Sequence, residues 1–140
     1  MSESASESSD KFSSAYYSGA GILYFLAAGQ PKPVAVKIGV TKRDGMLRRL
    51  RGIQSANHEP ISLLGVILFT DGEKPLLAAE RKERELHRRF SHLQRMVDWN
   101  VGYEWFDATS ELLAFVDEVA TPPEALGLPR SVAKLRDRGA

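Results

Sequence analysis

Apolar positions that alternate, or recur at regular spacing, divide the chain into short strands and helices. Residues 21–28 form an apolar run that predicts a buried strand. In residues 34–40 every second residue is a large apolar one, which predicts a second strand with one core face. The glycine and prolines between these two runs predict a turn. We therefore expect the two strands to form an antiparallel hairpin.

Helical spacing of apolar residues predicts three helices after the hairpin. Asp44 is expected to cap the first, which runs to about residue 53. Pro75 is expected to begin the second, which runs to about residue 93, and the third spans about 110–120. Between the first two helices, residues 61–69 are nearly all apolar and predict a central third strand.

These elements predict one small α/β (α+β) domain with a three-stranded antiparallel sheet flanked by helices, in the order β-β-α-β-α-α. The length of 140 residues suits a single domain. Residues 1–18 are rich in serine and glutamate and predict a disordered leader. We expect the domain to occupy residues 19–121 and a basic C-terminal tail to occupy residues 122–140.

The composition excludes several classes of protein and site. The chain has no cysteine, which excludes disulfide frameworks, thiol nucleophiles and cysteine metal sites, and only three histidines, which argues against a closed zinc site. It contains no apolar window long enough for a membrane span, and its polar start does not match a secretory signal. We therefore expect a soluble cytoplasmic protein with no membrane contact.

The net charge of only +1 conceals two strongly basic blocks within the expected domain. Residues 42–51 carry five basic residues against one acidic residue, and residues 81–95 carry six against two. Such blocks attract polyanions, above all nucleic acid, although each block alone also fits a solvated helix face. The candidate DNA-binding residues in these blocks are Lys42, Arg43, Arg48, Arg81 and Arg88.

Glu83 interrupts the apolar stripe of the second predicted helix. Leu76, Ala79, Leu86 and Phe90 lie on one side of that helix, and Glu83 fills the gap between them. A carboxylate in such a stripe is costly unless it is paired, protonated or bound to a cation. The pattern leaves two interpretations open, a salt bridge to an arginine such as Arg49 or a functional site.

Five short motifs along the chain resemble those of the GIY-YIG nuclease superfamily, in particular a phage and bacterial branch with a K-I-G second motif and a closing GEWF-like motif. The motifs are Gly21-Ile-Leu-Tyr24, Lys37-Ile38-Gly39, Arg49-Leu50, Glu83-x-x-Leu86-His87-x-x-Phe90, and Arg95 with Gly102-Tyr-Glu-Trp-Phe106. They span about residues 20–116 in the expected order. The stripe and the resemblance select the same residue, Glu83.

The resemblance implies a metal-dependent endonuclease that hydrolyses DNA phosphodiester bonds with one Mg²⁺ or Mn²⁺ ion. It implies that Glu83 is the metal ligand and that Arg49 contacts the scissile phosphate, whose oxygens a guanidinium matches. Tyr24 would orient or deprotonate the attacking water. Because a phenol needs a neighbouring cation to act as a base near neutral pH, Lys37 is the candidate for that cation. His87 is an alternative base or a second metal ligand.

Two other functions fit the same residues. The fold could bind DNA through its basic surface without cutting it. Alternatively, the chain is an interaction protein in which Arg49 and Glu83 form a structural ion pair. The partner is DNA both for the endonuclease and for the module that binds DNA without cutting it. None of the three interpretations requires a small-molecule cofactor.

Overall fold

A four-stranded antiparallel sheet organises the computed structural model, which describes residues 15–95 and 105–132. The strands are β1 (Gly21–Ala28), β2 (Ala35–Lys42), β3 (Ile61–Phe69) and β4 (Trp105–Asp107). Their order in the sheet is β3-β1-β2-β4, and each neighbouring pair is antiparallel. The predicted hairpin of β1 and β2 is confirmed and forms the centre of the sheet.

From β1 onward, the described residues form three α-helices and three short 3₁₀ helices around the sheet. The α-helices are α1 (Met46–Ser55), α2 (Pro75–Arg89) and α3 (Ser110–Val119), and the 3₁₀ turns are Arg43–Gly45, Ser91–Leu93 and Pro123–Leu126. None of the helices within the described residues is long and apolar enough to cross a bilayer.

Alternation along β1 separates two cores on opposite faces of the sheet. Ile22, Tyr24 and Leu26 pack with Met46 and Leu50 of α1, so α1 covers one face. On the other face Leu23 and Phe25 pack with apolar residues of α2 and α3, namely Leu86, Leu112, Phe115 and Val116. The two helices that carry most of the candidate site residues, α1 and α2, therefore lie on opposite sides of the sheet.

Two glycines allow close approach at the centre of the fold. A Cβ at Gly39 of β2 would lie 2.5 Å from the hydroxyl oxygen of Tyr24, its cross-strand partner on β1. A Cβ at Gly21 would lie 3.1 Å from the backbone of Leu76, where α2 crosses β1. The glycine of the Lys37-Ile38-Gly39 motif thus has a packing reason of its own.

The segment after α3 packs along the outer edge of β3. Thr121 and Val66 exchange two backbone hydrogen bonds of 2.7 and 3.0 Å, and the backbone N–H of Val132 donates to the carbonyl of Ile61 over 3.0 Å. The side chain of Val132 is fully buried. Residues 122–132 were expected in the basic tail, but they cover the β3 edge. Residues 133–140 of that expected tail lie outside the described residues.

The segment that covers the β3 edge is held by a bidentate ion pair. The guanidinium of Arg130 donates to both carboxylate oxygens of Glu124 over 2.8 and 2.9 Å. Hydrogen bonding from Arg130 lowers the pKa of Glu124 to about 2, below its usual value of 4.5.

The predicted count of three strands was wrong, because the sheet has a fourth strand, β4. β4 pairs with β2 over three residues only, Ala35–Lys37 against Trp105–Asp107, which is too short for an alternating pattern to reveal. The element order is therefore β-β-α-β-α-β-α. The predicted cap of α1 was also wrong, since Asp44 lies in a 3₁₀ turn and Gly45 stands at the N-cap position.

The expected leader is described only in its last residues. Residues 15–18 are described, and residues 1–14 lie outside the described part of the chain. The predicted boundaries of the leader and of the domain stay predictions.

Candidate functional site

The five candidate catalytic and metal-binding residues divide into two groups on opposite faces of the sheet. Tyr24, Lys37 and Arg49 belong to the face covered by α1, as the alternation along β1 and β2 shows. Glu83 and His87 belong to α2, which covers the other face. The two groups lie on either side of the central strands, and both helices pack against β2.

Tyr24 is a core residue in this structure. Its side chain is fully buried in the core beneath α1, and its ring lies over Gly39. Bulk water does not reach a fully buried hydroxyl. The arrangement therefore supports a packing role for Tyr24, and its role in orienting or deprotonating water stays a prediction.

Lys37 lies on the same face of the sheet as Tyr24. Tyr24 pairs with Gly39, and Lys37 is two residues away on the same strand, which makes the two side chains diagonal neighbours. The Lys37 ammonium lies 5.8 Å from the centre of the Trp105 ring. This geometry is a cation–π contact that attaches β2 to β4.

Arg49 does not form the ion pair with Glu83 that one interpretation required. Arg49 is exposed on α1, and Glu83 is part-buried on α2 beyond the sheet. Among the described residues no salt bridge joins the two side chains. The structure therefore does not show the ion pair that the interpretation as an interaction protein required.

Glu83 occupies the middle of the buried stripe of α2, as the sequence predicted. Leu76, Ala79 and Leu86 on the same side of the helix are buried, and the Glu83 side chain is 19% exposed. Its Oε2 lies 4.0 Å from Nε2 of His87, one turn further along the helix. The carboxylate is thus part-buried, and His87 is one of its ionisable neighbours.

His87 connects α2 to the edge of β2. Its Nε2 lies 2.9 Å from the carbonyl oxygen of Ile38, and its ring centre lies 5.2 Å from that of Phe106. A carbonyl only accepts hydrogen bonds, so Nε2 carries a proton and donates it to Ile38. While this bond holds, Nε2 is unable to act as a base or as a metal ligand, and the role of His87 as a base or second metal ligand stays a prediction. The bond fixes the turn of α2 that carries Glu83.

A metal ion held at Glu83 would be bound by few protein ligands. Within the described ranges, no group of three or more histidine, aspartate or glutamate side chains is placed to hold a metal ion. Mg²⁺ commonly binds through one or two carboxylates and completes its octahedron with water and substrate phosphate. The chemistry of Glu83 fits such a site, and does not fit an enclosed zinc or calcium site.

The candidate DNA-binding residues form one basic surface on each side of the sheet. Arg43 and Arg48 are exposed beside α1, with Lys42 part-buried next to them, whereas Arg81 and Arg88 are exposed on α2. The stretch of β2 from residue 38 to residue 42 lies between the two surfaces, and no described strand pairs with its outer edge. Which of the five residues contact DNA stays a prediction.

Sequence reasoning missed a cavity beside the N-terminal segment. This cavity of about 510 Å³ lies at the open end of the hairpin, where it is lined by residues that precede β1 and residues at or after the end of β2, including Tyr16, Ser18, Lys42 and Arg43. A second cavity of about 270 Å³ adjoins it at Arg43 and is lined mainly by apolar side chains. Neither cavity includes Tyr24, Arg49 or Glu83. The available signal was the Tyr16-Tyr17 pair at the end of a serine-rich segment.

The closing motif lies partly outside the described residues. Residues 102–104 are not described, whereas Arg95 and Trp105 are adjacent, because the Arg95 N–H donates to the Trp105 carbonyl over 2.9 Å. The Arg95 guanidinium also donates to the Val34 carbonyl over 3.1 Å and lies 3.7 Å from the Asp107 carboxylate. In the described part of the motif, Arg95 therefore ties the chain to the end of the β1–β2 hairpin.

A comparison with protein families corrects the assignment made from the short motifs. The family model of the T5orf172 domain matches residues 21–121, whereas no curated protein and no solved structure matches the chain. The assignment to the GIY-YIG superfamily was wrong, because the matching family is a different one. Motifs of two to five residues carry little information, and at least one of their glycines, Gly39, is explained by packing alone. Since the match covers far more than half of the chain, the chain belongs to the T5orf172 domain family.

Proposed function

We propose that this domain binds DNA and hydrolyses its phosphodiester bonds with one divalent cation, Mg²⁺ or Mn²⁺, held by Glu83. The observation that carries the proposal is the position of Glu83, a largely buried carboxylate within an otherwise apolar helix stripe. Membership in the T5orf172 domain family is compatible with a DNA-related function.

The position of Glu83 favours a cation as its functional partner. Burial of a carboxylate without a compensating positive charge is costly, and surface glutamates of α2 such as Glu85 avoid that cost by facing solvent. His87 is one ionisable neighbour of the carboxylate, at 4.0 Å. A divalent cation stabilises the ionised form of a part-buried carboxylate, which is a common reason for one to stand at such a position.

The surroundings of Glu83 suit a phosphate diester. Arg81, Arg84 and Arg88 are exposed on the same helix, and guanidinium groups match phosphate oxygens in charge and geometry. When bound, the cation supplies positive charge that offsets the negative charge developing on the phosphate during hydrolysis. The residues of α2 thus provide both a place for the cation and an attraction for the backbone of DNA.

DNA that lies along the outer edge of β2 would contact both basic surfaces. α1 and α2 pack against β2 from opposite faces, and residues 38–42 form the edge between them. In this arrangement Arg48 and Arg49 contact the phosphate backbone on one side, and Arg81 and Arg88 contact it on the other. The proposal therefore assigns Arg49 to backbone binding, at a distance from the Glu83 site.

A second candidate function is binding of DNA without cleavage. It is favoured by the complete burial of Tyr24, which removes the expected water-activating group from solvent. In that case Glu83 has no catalytic role, and the basic surfaces alone define the activity.

Incubation with DNA and metal separates the two functions. Supercoiled plasmid and single-stranded DNA are incubated with the protein in Mg²⁺, in Mn²⁺ and in EDTA, beside a Glu83→Ala variant. The proposal expects cutting with at least one metal, none in EDTA, and none by the variant, while both proteins bind DNA. Binding without any cutting by the wild type supports the second function. Absence of binding at low salt contradicts both.

A further inference from the structure

The cavity of about 510 Å³ beside the N-terminal segment combines an aromatic ring with two cations. Tyr16, which is 43% exposed, lines one side, and Lys42 and Arg43 at the end of β2 line the other. Its volume lies within the range of about 300–1,000 Å³ that is typical of small-ligand sites. The cavity is separate from Glu83 and takes no part in the hydrolysis proposed above.

The ring of Tyr16 is held in place before any ligand binds. The Tyr17 ring meets it edge-on, with centres 5.1 Å apart, and the Lys42 ammonium lies 4.3 Å from its centre. The negative charge of the Glu80 carboxylate on α2 raises the pKa of the neighbouring Tyr17 hydroxyl. Because the Lys42 ammonium lies over one face of the Tyr16 ring, a base would stack on the opposite face, and a ring already held in this way loses little conformational freedom.

The chemistry of the cavity matches a nucleotide with an accessible base. A flat aromatic side chain stacks on any base, and a lysine and an arginine beside it attract the phosphate. Asp44, which also lines the cavity, offers a carboxylate that accepts hydrogen bonds from exocyclic amines of a base. In a duplex both faces of each base are covered by its neighbours, so only an unpaired nucleotide is able to present a face to Tyr16.

We propose that this cavity binds one unpaired nucleotide of DNA, such as the first nucleotide of a single-stranded extension beside a duplex. The inference rests on the proposed function only in taking DNA as the partner. It adds a preference for DNA with an unpaired segment, which the basic surfaces alone do not produce, because phosphate contacts carry no information on pairing.

The test compares labelled DNA molecules that share one duplex and differ in an extension. Fluorescence anisotropy in EDTA, which prevents cleavage, measures the affinity for a blunt duplex and for the same duplex with a single-stranded extension. The wild type is expected to bind the extended form about 5- to 100-fold more tightly, the range that stacking of one base supplies. Tyr16→Ala is expected to abolish this preference, and Tyr16→Phe is expected to retain it.

Two further variants complete the design. Val34→Ala removes another exposed apolar side chain at the far end of the hairpin and should behave like the wild type. Lys42→Gln leaves the ring of Tyr16 intact and should weaken binding of the extended DNA more than binding of the blunt duplex. If Tyr16→Ala lowers the melting temperature, the comparison of Lys42→Gln with the wild type carries the test instead.

Each outcome bears on one proposal or on both. Equal affinity of the wild type for the two DNA forms overturns the nucleotide site, even when the protein cuts DNA. Equal weakening of both forms by Tyr16→Ala overturns it as well. A preference for the extension that depends on Tyr16, in a protein that never cuts DNA, supports the nucleotide site and contradicts the hydrolysis. Failure to bind any DNA overturns both proposals.

Discussion

Replacement of Gly39 by alanine tests how tightly the centre of the sheet is packed. The three atoms nearest to a Cβ at this position all belong to Tyr24, at 2.5, 2.6 and 2.9 Å, and Tyr24 is fully buried with no room to withdraw. Overpacking of a well-packed core costs about 1–3 kcal/mol. Because these contacts are far shorter than van der Waals distances, we expect Gly39→Ala to lose about 3 kcal/mol of unfolding free energy.

The same substitution in a Tyr24→Leu protein shows whether the cost comes from the clash with Tyr24 or from a side chain at this position of the strand. Tyr24→Leu removes the ring atoms that meet the new Cβ. In that background alanine should be better than glycine by about 0.5–1 kcal/mol, since glycine weakens the interior of a strand. Urea unfolding of the four proteins measures the two differences. A cost below about 0.5 kcal/mol in the wild-type background, or an equal cost in both backgrounds, would refute the packing argument.

Three further predictions concern the segment that covers the β3 edge, His87 on α2, and the basic surface on α2. The pKa of Glu124 is lowered to about 2, so its ion pair with Arg130 stabilises the fold fully above pH 4.5. This stabilisation is lost as the pH falls towards 2, and the melting temperatures of the wild type and Glu124→Gln should converge over that range. His87→Phe keeps an aromatic ring but removes the donor to the β2 carbonyl, and should cost about 0.5–1.5 kcal/mol in urea unfolding. Reversal of Arg81 and Arg88 to glutamate should weaken binding of all DNA sequences alike and reduce its dependence on salt, as a titration at several salt concentrations would show.

The central hairpin and the helices could be predicted because their patterns are long and regular. The strand predicted for residues 21–28 agrees with β1, and that for residues 61–69 agrees with β3. The position of Glu83 in the stripe of α2 was also predictable, because three buried residues around it define the helix face. Periodicity works where an element buries one whole face.

Short elements whose contacts are with residues distant in the sequence could not be predicted from sequence patterns. β4 is three residues long, and the segment that covers β3 buries only Pro123 and Val132, which are too far apart to form a regular pattern. The division of the site across the sheet was equally hidden, since local periodicity does not say which face a helix covers. Tyr24 was expected to act on water because of a motif, and the structure places it in the core instead.

The cleavage rate of a matched pair of variants tests the central claim most directly. Glu83→Gln removes the charge of the part-buried carboxylate, and Glu85→Gln removes that of an exposed carboxylate on the same helix, which pairs with Lys82 over 3.1 Å. In Mg²⁺ or Mn²⁺ we expect plasmid cleavage by Glu83→Gln to fall about 100-fold or more, with DNA binding intact and thermal stability unchanged or higher. Glu85→Gln should cut like the wild type. Equal cleavage by the two variants, or a strongly destabilised Glu83→Gln protein beside a wild type that never cuts DNA, would contradict the assignment of hydrolysis to Glu83.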